Sequence, residues 1–273
     1  MDKASISNIA WPSEKDDEAL DRAATLGFKG IEVAPAKVFG SLDEADPTTV
    51  KRYRDRLGAR QLAIPALQAI MFGVSDVHLF ADSEARNRLA LRLEQVCKIA
   101  AGVGAGACVF GSPTLRDPGN LDAAEAKRIA VDFFGRIGRF YAAHGVELCL
   151  EANPQRYKCR FVTSTQEAKA LVEAVGEAGF SLHLDTGTVM INQEGADVVE
   201  DAARVAFHMH VSEPDLVPLG SFAEADHAGI AAAVVRSGYD GWHSVEMRAS
   251  EDWQSAMDRA ATVLGHYTSE RRA

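Results

Sequence analysis

"SLHLDTG", residues 181–187, is the stretch whose reading decides the fold. A short apolar run ends in the carboxylate of Asp185, and Thr186 and Gly187 follow at once. Alternation along a strand turns His183 and Asp185 to the same face. An imidazole and a carboxylate aimed together at a strand end either satisfy each other in a core or face something that needs them.

Outward from this stretch the same pattern recurs. "VELCLEANP" (146–154) closes on Glu151, "AFHMHVSE" (206–213) on His210 and "WHSVEM" (242–247) on Glu246. Upstream, "SISNIAW" (5–11), "GIEVAP" (30–35), "QLAIPALQAI" (61–70) and "ACVFGSP" (107–113) are short apolar runs of the same kind. Between them lie segments of helical periodicity. Ser13 followed by Asp16 marks a helix start, and Leu20, Ala23 and Ala24 carry the apolar face until Gly27 stops it. Further helices are expected over 46–60, 83–104, 122–145, 164–179, around 195–205, over 227–238 and over 250–269. Ile129, Phe133, Ile137 and Phe140 form a helical stripe that belongs in a core.

Roughly eight strand–helix units, with strands apolar on both faces and no linker between them, predict an α/β (β/α)₈ TIM barrel occupying 1–273 as a single domain. The glycine-rich "GVGAGA" (102–107) precedes a strand instead of following one, so it reads as a helix-to-strand connection and not as a dinucleotide fingerprint.

The 273 residues carry a formal net charge of −10, which disfavours nucleic acid as a partner. Cys97, Cys108, Cys149 and Cys159 form no CxxC pair and read as buried reduced thiols. The opening "MDKASISNIAWPSEKDDE" has no continuous apolar run, and no stretch approaches the ~20 residues of a membrane span. A cytoplasmic protein is expected.

In a barrel of this kind active sites lie at the C-terminal ends of the strands. Strands five to eight deliver Glu151, Asp185, His210 and Glu246 to that rim. Three converging carboxylates repel one another unless one is protonated or a cation joins them. A divalent metal removes the conflict. Mixed oxygen and nitrogen ligands suit Mn²⁺, Mg²⁺ or Co²⁺ better than a thiolate-loving ion, with Zn²⁺ as an alternative. His183 and His208, one pleat deeper, are candidates for orienting ligands, touching substrate or packing in the core.

"CLEANP" (149–154), "LHLDTG" (182–187), "HMHVSE" (208–213) and "GYDGWHSVEM" (238–247) resemble the strand-end motifs of the xylose isomerase-like sugar isomerase/epimerase superfamily. Within it the chain is similar to ketose 3-epimerases of the D-tagatose and D-psicose type. "SNIAW" (7–11) and "GFKGIEVAP" (27–35) extend the resemblance over essentially the whole chain.

The resemblance implies one divalent metal on Glu151, Asp185, His210 and Glu246. Glu151 and Glu246 would act as catalytic acid and base on opposite faces of a keto-sugar, moving an α-proton through an enediolate. A dimer or tetramer is also implied. Three positions depart from the family. Thr188 stands where those epimerases have a histidine, Leu216 where they have an arginine, and Tyr157 where they have a glutamate. The metal set is therefore intact while the sugar grip is rebuilt, which points toward a modified keto-sugar, an inosose or a keto-glycoside.

Position at strand ends adds Trp11, Glu32, Gln68 and Asn153 as substrate contacts; the departures from the family add Tyr157, Thr188 and Leu216, and strand alternation adds His183. Arg156, Lys158, His227 and Arg248 are weaker candidates. Three rivals follow from the same residues. The same base and metal would give a dehydratase or lyase if a leaving group lies β to the carbonyl. A nuclease resembling endonuclease four would need more histidine ligands and a basic groove. A non-catalytic sugar-binding barrel would bind without proton exchange.

Overall fold

The computed structural model describes residues 2–268; Met1 and the end of the expected last helix at Ser269 lie outside the described residues. Eight parallel strands form the centre: β1 (Ala4–Ser7), β2 (Gly30–Glu32), β3 (Ala66–Leu67), β4 (Ala107–Phe110), β5 (Glu147–Glu151), β6 (Phe180–Asp185), β7 (Ala206–Ser212) and β8 (Trp242–Glu246). They are hydrogen-bonded in the order β2-β1-β8-β7-β6-β5-β4-β3. Single parallel bridges, Gly30 with Ala63 and Val33 with Leu67, draw β2 to β3 and complete a nearly closed barrel. The expected TIM barrel is the fold.

Helices 16–25, 47–58, 83–103, 123–143, 165–175, 196–203, 227–237 and 253–268 surround the barrel. Their apolar stripes pack on the outer faces of the strands, which explains why the strands are buried on both sides. Phe133 and Ile137 are fully inside, while Ile129 and Phe140 are partly buried at the edge of the same stripe. The four cysteines are free and buried, as expected. Gly104, in the left-handed conformation, caps the helix 83–103, so "GVGAGA" is the predicted connection into β4.

Four local expectations are corrected. β1 stops at Ser7, because the Ser7 hydroxyl accepts from the Ile9 amide and the chain turns into a 3₁₀ helix over Asn8–Ala10. Ser13 does not cap the first α-helix; Ser13–Lys15 form a 3₁₀ turn and the helix begins at Asp16. The long third apolar run pairs regularly only at Ala66–Leu67, just after Pro65, which has no N–H to give a ladder. β7 runs two residues past His210, so this ligand candidate sits inside its strand and not at its end.

Registers position the site. Glu151 pairs with His183, Asp185 with His210, and Ser212 with Glu246. Between β6 and β7 the register shifts at Leu182/His183. That shift is a local irregularity; the stagger of tilted strands in a closed sheet is what lets side chains from neighbouring strands converge on the barrel axis.

Candidate metal centre

Glu151 is the last residue of β5. Its Oε2 accepts from Asn153 Nδ2 at 2.9 Å, which leaves Oε1 facing His183 Nε2 at 3.8 Å and His210 Nδ1 at 3.7 Å. Asn153 is itself fixed by Arg116, whose Nη2 donates to Asn153 Oδ1 at 2.8 Å and to the Glu151 carbonyl at 2.9 Å. Arg116 is fully buried.

Asp185 ends β6 and caps the helix Thr186–Asn192. Its Oδ1 accepts from the Thr188 amide at 2.6 Å and its Oδ2 from the Ser212 hydroxyl at 2.5 Å. Glu246 ends β8, and its Oε2 lies 3.1 Å from His210 Nδ1. One ligand atom each from Glu151, Asp185, His210 and Glu246 falls within 4.8 Å of all the others.

His210 is oriented from behind. Its Nε2 is 3.0 Å from both carboxylate oxygens of Glu32, which also receives His208 Nε2 at 3.1 Å and the Ser244 hydroxyl at 2.5 Å. Nδ1 is thereby turned toward the three carboxylates, buried and without the geometry of a hydrogen bond. A carboxylate behind a histidine whose other nitrogen points into an acidic cage is a common outer support of a metal ligand.

The electrostatics are those of a cage short of positive charge. Burial pushes the Glu246 carboxyl up to about 7, with repulsion from Glu151 and Asp185 added and His210 opposing. Burial, then Glu151, raises Asp185 as well. Burial works against a charged His210, but Glu32 and Glu246 outweigh it and hold the imidazole well above its usual range. Burial would likewise raise Glu32, yet His210 and His208 keep it well below the carboxylate range. Burial holds His183 neutral, its pKa lowered well below 6.5.

Two glycines leave room for this arrangement. A Cβ on Gly111, just after β4, would stand 2.2 Å from Glu151 Oε2, and one on Gly187 would stand 2.7 Å from Ser212 Oγ. Three carboxylates and one imidazole nitrogen, held by separate supports around a common point, fit a divalent cation of the Mn²⁺, Mg²⁺, Co²⁺ or Zn²⁺ type. These residues could hold a metal ion.

A cavity of about 440 Å³ opens above the cage, within the ~300–1,000 Å³ range of ligand pockets. Asn153, Tyr157, Thr188 and Leu216 line it together with the carboxylates. Four other expected contacts do not. Trp11 is 1% exposed and its Nε1 donates to Asp16 Oδ1, so it packs the first loop instead of stacking on a ligand. Gln68 is buried and donates to Ser7 Oγ. Glu32 and His183 lie beneath the cage, inside the barrel.

Among the weaker candidates, His227 is buried between Glu213 and Tyr267, and Arg156 pairs with Asp215. Arg248 lines the cavity, whereas Lys158 does not. Ser212, Glu213, Asp215 and Arg116 were not anticipated. Ser212 lies two residues after His210, so strand alternation carried that signal. Arg116 lies in a 3₁₀ turn after β4, and no sequence pattern marked it.

Comparison with known proteins bears on the family and the fold. The family model described as xylose isomerase-like TIM barrel matches residues 20–265. Comparison with curated protein sequences gives no match. Among solved structures, an L-ribulose 3-epimerase superposes with a TM-score of 0.81 at 20% identity, covering 100% of this chain and 96% of its own. A 3-keto-D-glucoside 4-epimerase from E. coli gives 0.76 at 20% identity, covering 96% and 98%. The IOLI protein, crystallised with a zinc atom, gives 0.77 at 16% identity, covering 99% and 100%. At these identities the likeness is one of fold.

Proposed function

The chain belongs to the xylose isomerase-like TIM barrel family, and on that premise we propose that it is a divalent-metal-dependent isomerase or epimerase acting on a keto-sugar or related polyol ketone. The observation that carries this reading is the group of Glu151, Asp185, His210 and Glu246 at the C-terminal mouth of the barrel. The similar structures of sugar epimerases support it, and Mn²⁺ is the cation best matched to an oxygen-rich set.

The chemistry follows from the difficulty of the step. A proton α to a carbonyl is too weakly acidic for a carboxylate acting alone. A cation held by the four ligands would supply the positive charge that stabilises the developing enediolate. Glu151 and Glu246 arrive from β5 and β8 with His210 Nδ1 between them, at 3.7 and 3.1 Å. In this reading one carboxylate takes the α-proton from one face of the substrate. The opposite face receives a water-derived proton relayed by the other carboxylate, and the proton taken by the first is lost to water, which resets the pair. Asn153 holds Glu151 in place during this transfer, and the Thr188 amide and Ser212 hydroxyl hold Asp185.

The test is solvent deuterium incorporation followed by NMR, with Mn²⁺-loaded and EDTA-stripped protein offered keto-sugars, inososes and 3-keto-glycosides. Metal-dependent exchange beside the carbonyl is expected. Glu246→Gln should lower it by roughly 10²–10⁴-fold, the usual worth of a positioned acid or base. Full exchange in that variant would sink the mechanism. An unsaturated or cleaved product would move the reaction to elimination.

A further inference from the structure

The side chains lining the cavity above the cage are nearly all engaged with one another. Asn153 is clamped between Glu151 and Arg116. Thr188 Oγ1 donates to the Ala152 carbonyl at 3.1 Å, and Ser212 Oγ donates to Asp185. The Glu213 carboxylate accepts from the amides of Gly220, Ser221 and Phe222 and from His227. Asp215 is paired with Arg156, and its amide donates to the Tyr157 hydroxyl at 2.6 Å.

Two groups remain. The Tyr157 hydroxyl accepts that amide and still has its own proton to give. Arg248 lines the cavity and is exposed, and its guanidinium has no hydrogen bond or ion pair among the described residues. Its backbone is nevertheless fixed, because the Arg248 amide donates to the Leu216 carbonyl at 2.8 Å and ties the loop after β8 to the loop after β7. Arg156, the other guanidinium near the mouth, has its charge answered by Asp215.

We propose that Arg248 is the specificity-determining residue of this site and receives an oxyanion, carboxylate or phosphate, carried by the substrate away from its reacting carbonyl. This rests on the reading of the site given above. Three cage carboxylates against one divalent cation would leave the floor of the cavity negative, so among the described residues lining it an anionic substituent finds uncompensated positive charge at Arg248. A guanidinium offers such a group paired donors in a planar fork. The Tyr157 hydroxyl supplies a further donor to the same substrate. Substrates of this description are keto-sugar acids and keto-sugar phosphates, with the carbonyl over the cage and the oxyanion at the mouth.

The experiment uses Mn²⁺-loaded wild-type protein, Arg248→Ala and Arg248→Lys, with a ketohexuronate, a ketohexose phosphate and a neutral ketohexose as probes. Deuterium exchange gives kcat/KM, and calorimetry gives binding of the same anions. The wild type is expected to favour one anionic probe, whose identity separates carboxylate from phosphate. The anionic-to-neutral ratio of kcat/KM should fall about 10- to 100-fold in Arg248→Ala, the range of a lost charge-assisted contact. Arg248→Lys should recover part of it. A wild type that prefers the neutral ketohexose, or a ratio that Arg248→Ala leaves unmoved, overturns the proposal while the epimerase reading stands. Anion binding lost in Arg248→Ala, without exchange in any protein, supports the grip and overturns the epimerase reading. No exchange and no anion binding overturns both.

Discussion

Glu32 is the residue on which the cage depends without belonging to it. Its carboxylate lies fully buried and touches His210 on the nitrogen that does not face the other ligands. A neutral amide there would weaken the hold on the imidazole and its preference for presenting Nδ1 as the free lone pair. Glu32→Gln is therefore expected to lower metal affinity about 10- to 100-fold, as outer partners of metal-bound histidines do. Competition with a chromogenic chelator measures this directly. Unchanged affinity would mean that packing alone, including the ring of His183 at 4.1 Å, orients His210.

The ends of the strands are where elements and chemistry meet. Gly111 and Gly187 follow β4 and β6, and neither has a positive φ; their role is to be absent where a side chain would intrude. The nearest atoms a Cβ would meet are side-chain oxygens, Glu151 Oε2 and Ser212 Oγ, with Asn153 Oδ1, Asp185 Oδ1 and the Glu213 backbone carbon just beyond. Folding should therefore survive an alanine, at about 1–3 kcal/mol, while the carboxylate supports are displaced. We expect Gly111→Ala and Gly187→Ala each to retain the far-ultraviolet spectrum of the wild type and to lose at least about tenfold in metal affinity. A variant that kept wild-type affinity would show that the cage tolerates the shift.

At the scale of the whole molecule, metal and proton compete for the same buried groups. In metal-free protein Asp185, Glu246 and His210 are all raised above their ordinary values, so each favours the folded state at low pH and gives up that contribution as pH rises through its folded pKa. For Glu246 that window runs from about 4.5 to about 7. His183 and His243 act the other way, because their depressed values remove stability as pH falls below 6.5. His183 lies 3.8 Å from Glu151 Oε1 and His243 faces no cage carboxylate, but burial holds both neutral with or without a cation, so their effect is common to both forms and cancels in a difference. A bound cation needs its ligands deprotonated. The rise in Tm on adding Mn²⁺ to EDTA-stripped protein should therefore grow between pH 5 and pH 7, as Glu246 with its value of about 7 gives up its proton. Thermal unfolding with and without metal across this range checks it, and a pH-independent increment would remove Glu246 from the ligand set.

The sequence by itself determined the barrel and the membership of the four-residue group. Both are local signals: short apolar runs separated by helical periods, and a polar residue at or near the end of each of the last four runs. It also marked Asn153 by its place after β5, and Tyr157, Thr188 and Leu216 through the family resemblance; all four line the cavity. Only the tertiary structure decided what stands behind the cage. Glu32 reaches His210 across 178 residues, and Arg116 reaches the Glu151 carbonyl across 35, because barrel closure and strand tilt bring distant registers to one axis. A strand-end carboxylate such as Glu32 looks, in sequence, no different from Glu151. Which of them opens on the cavity and which lies beneath it depends on how far each strand climbs before its tip. That height is set by the stagger of the closed sheet and not by the residues next to it in the chain.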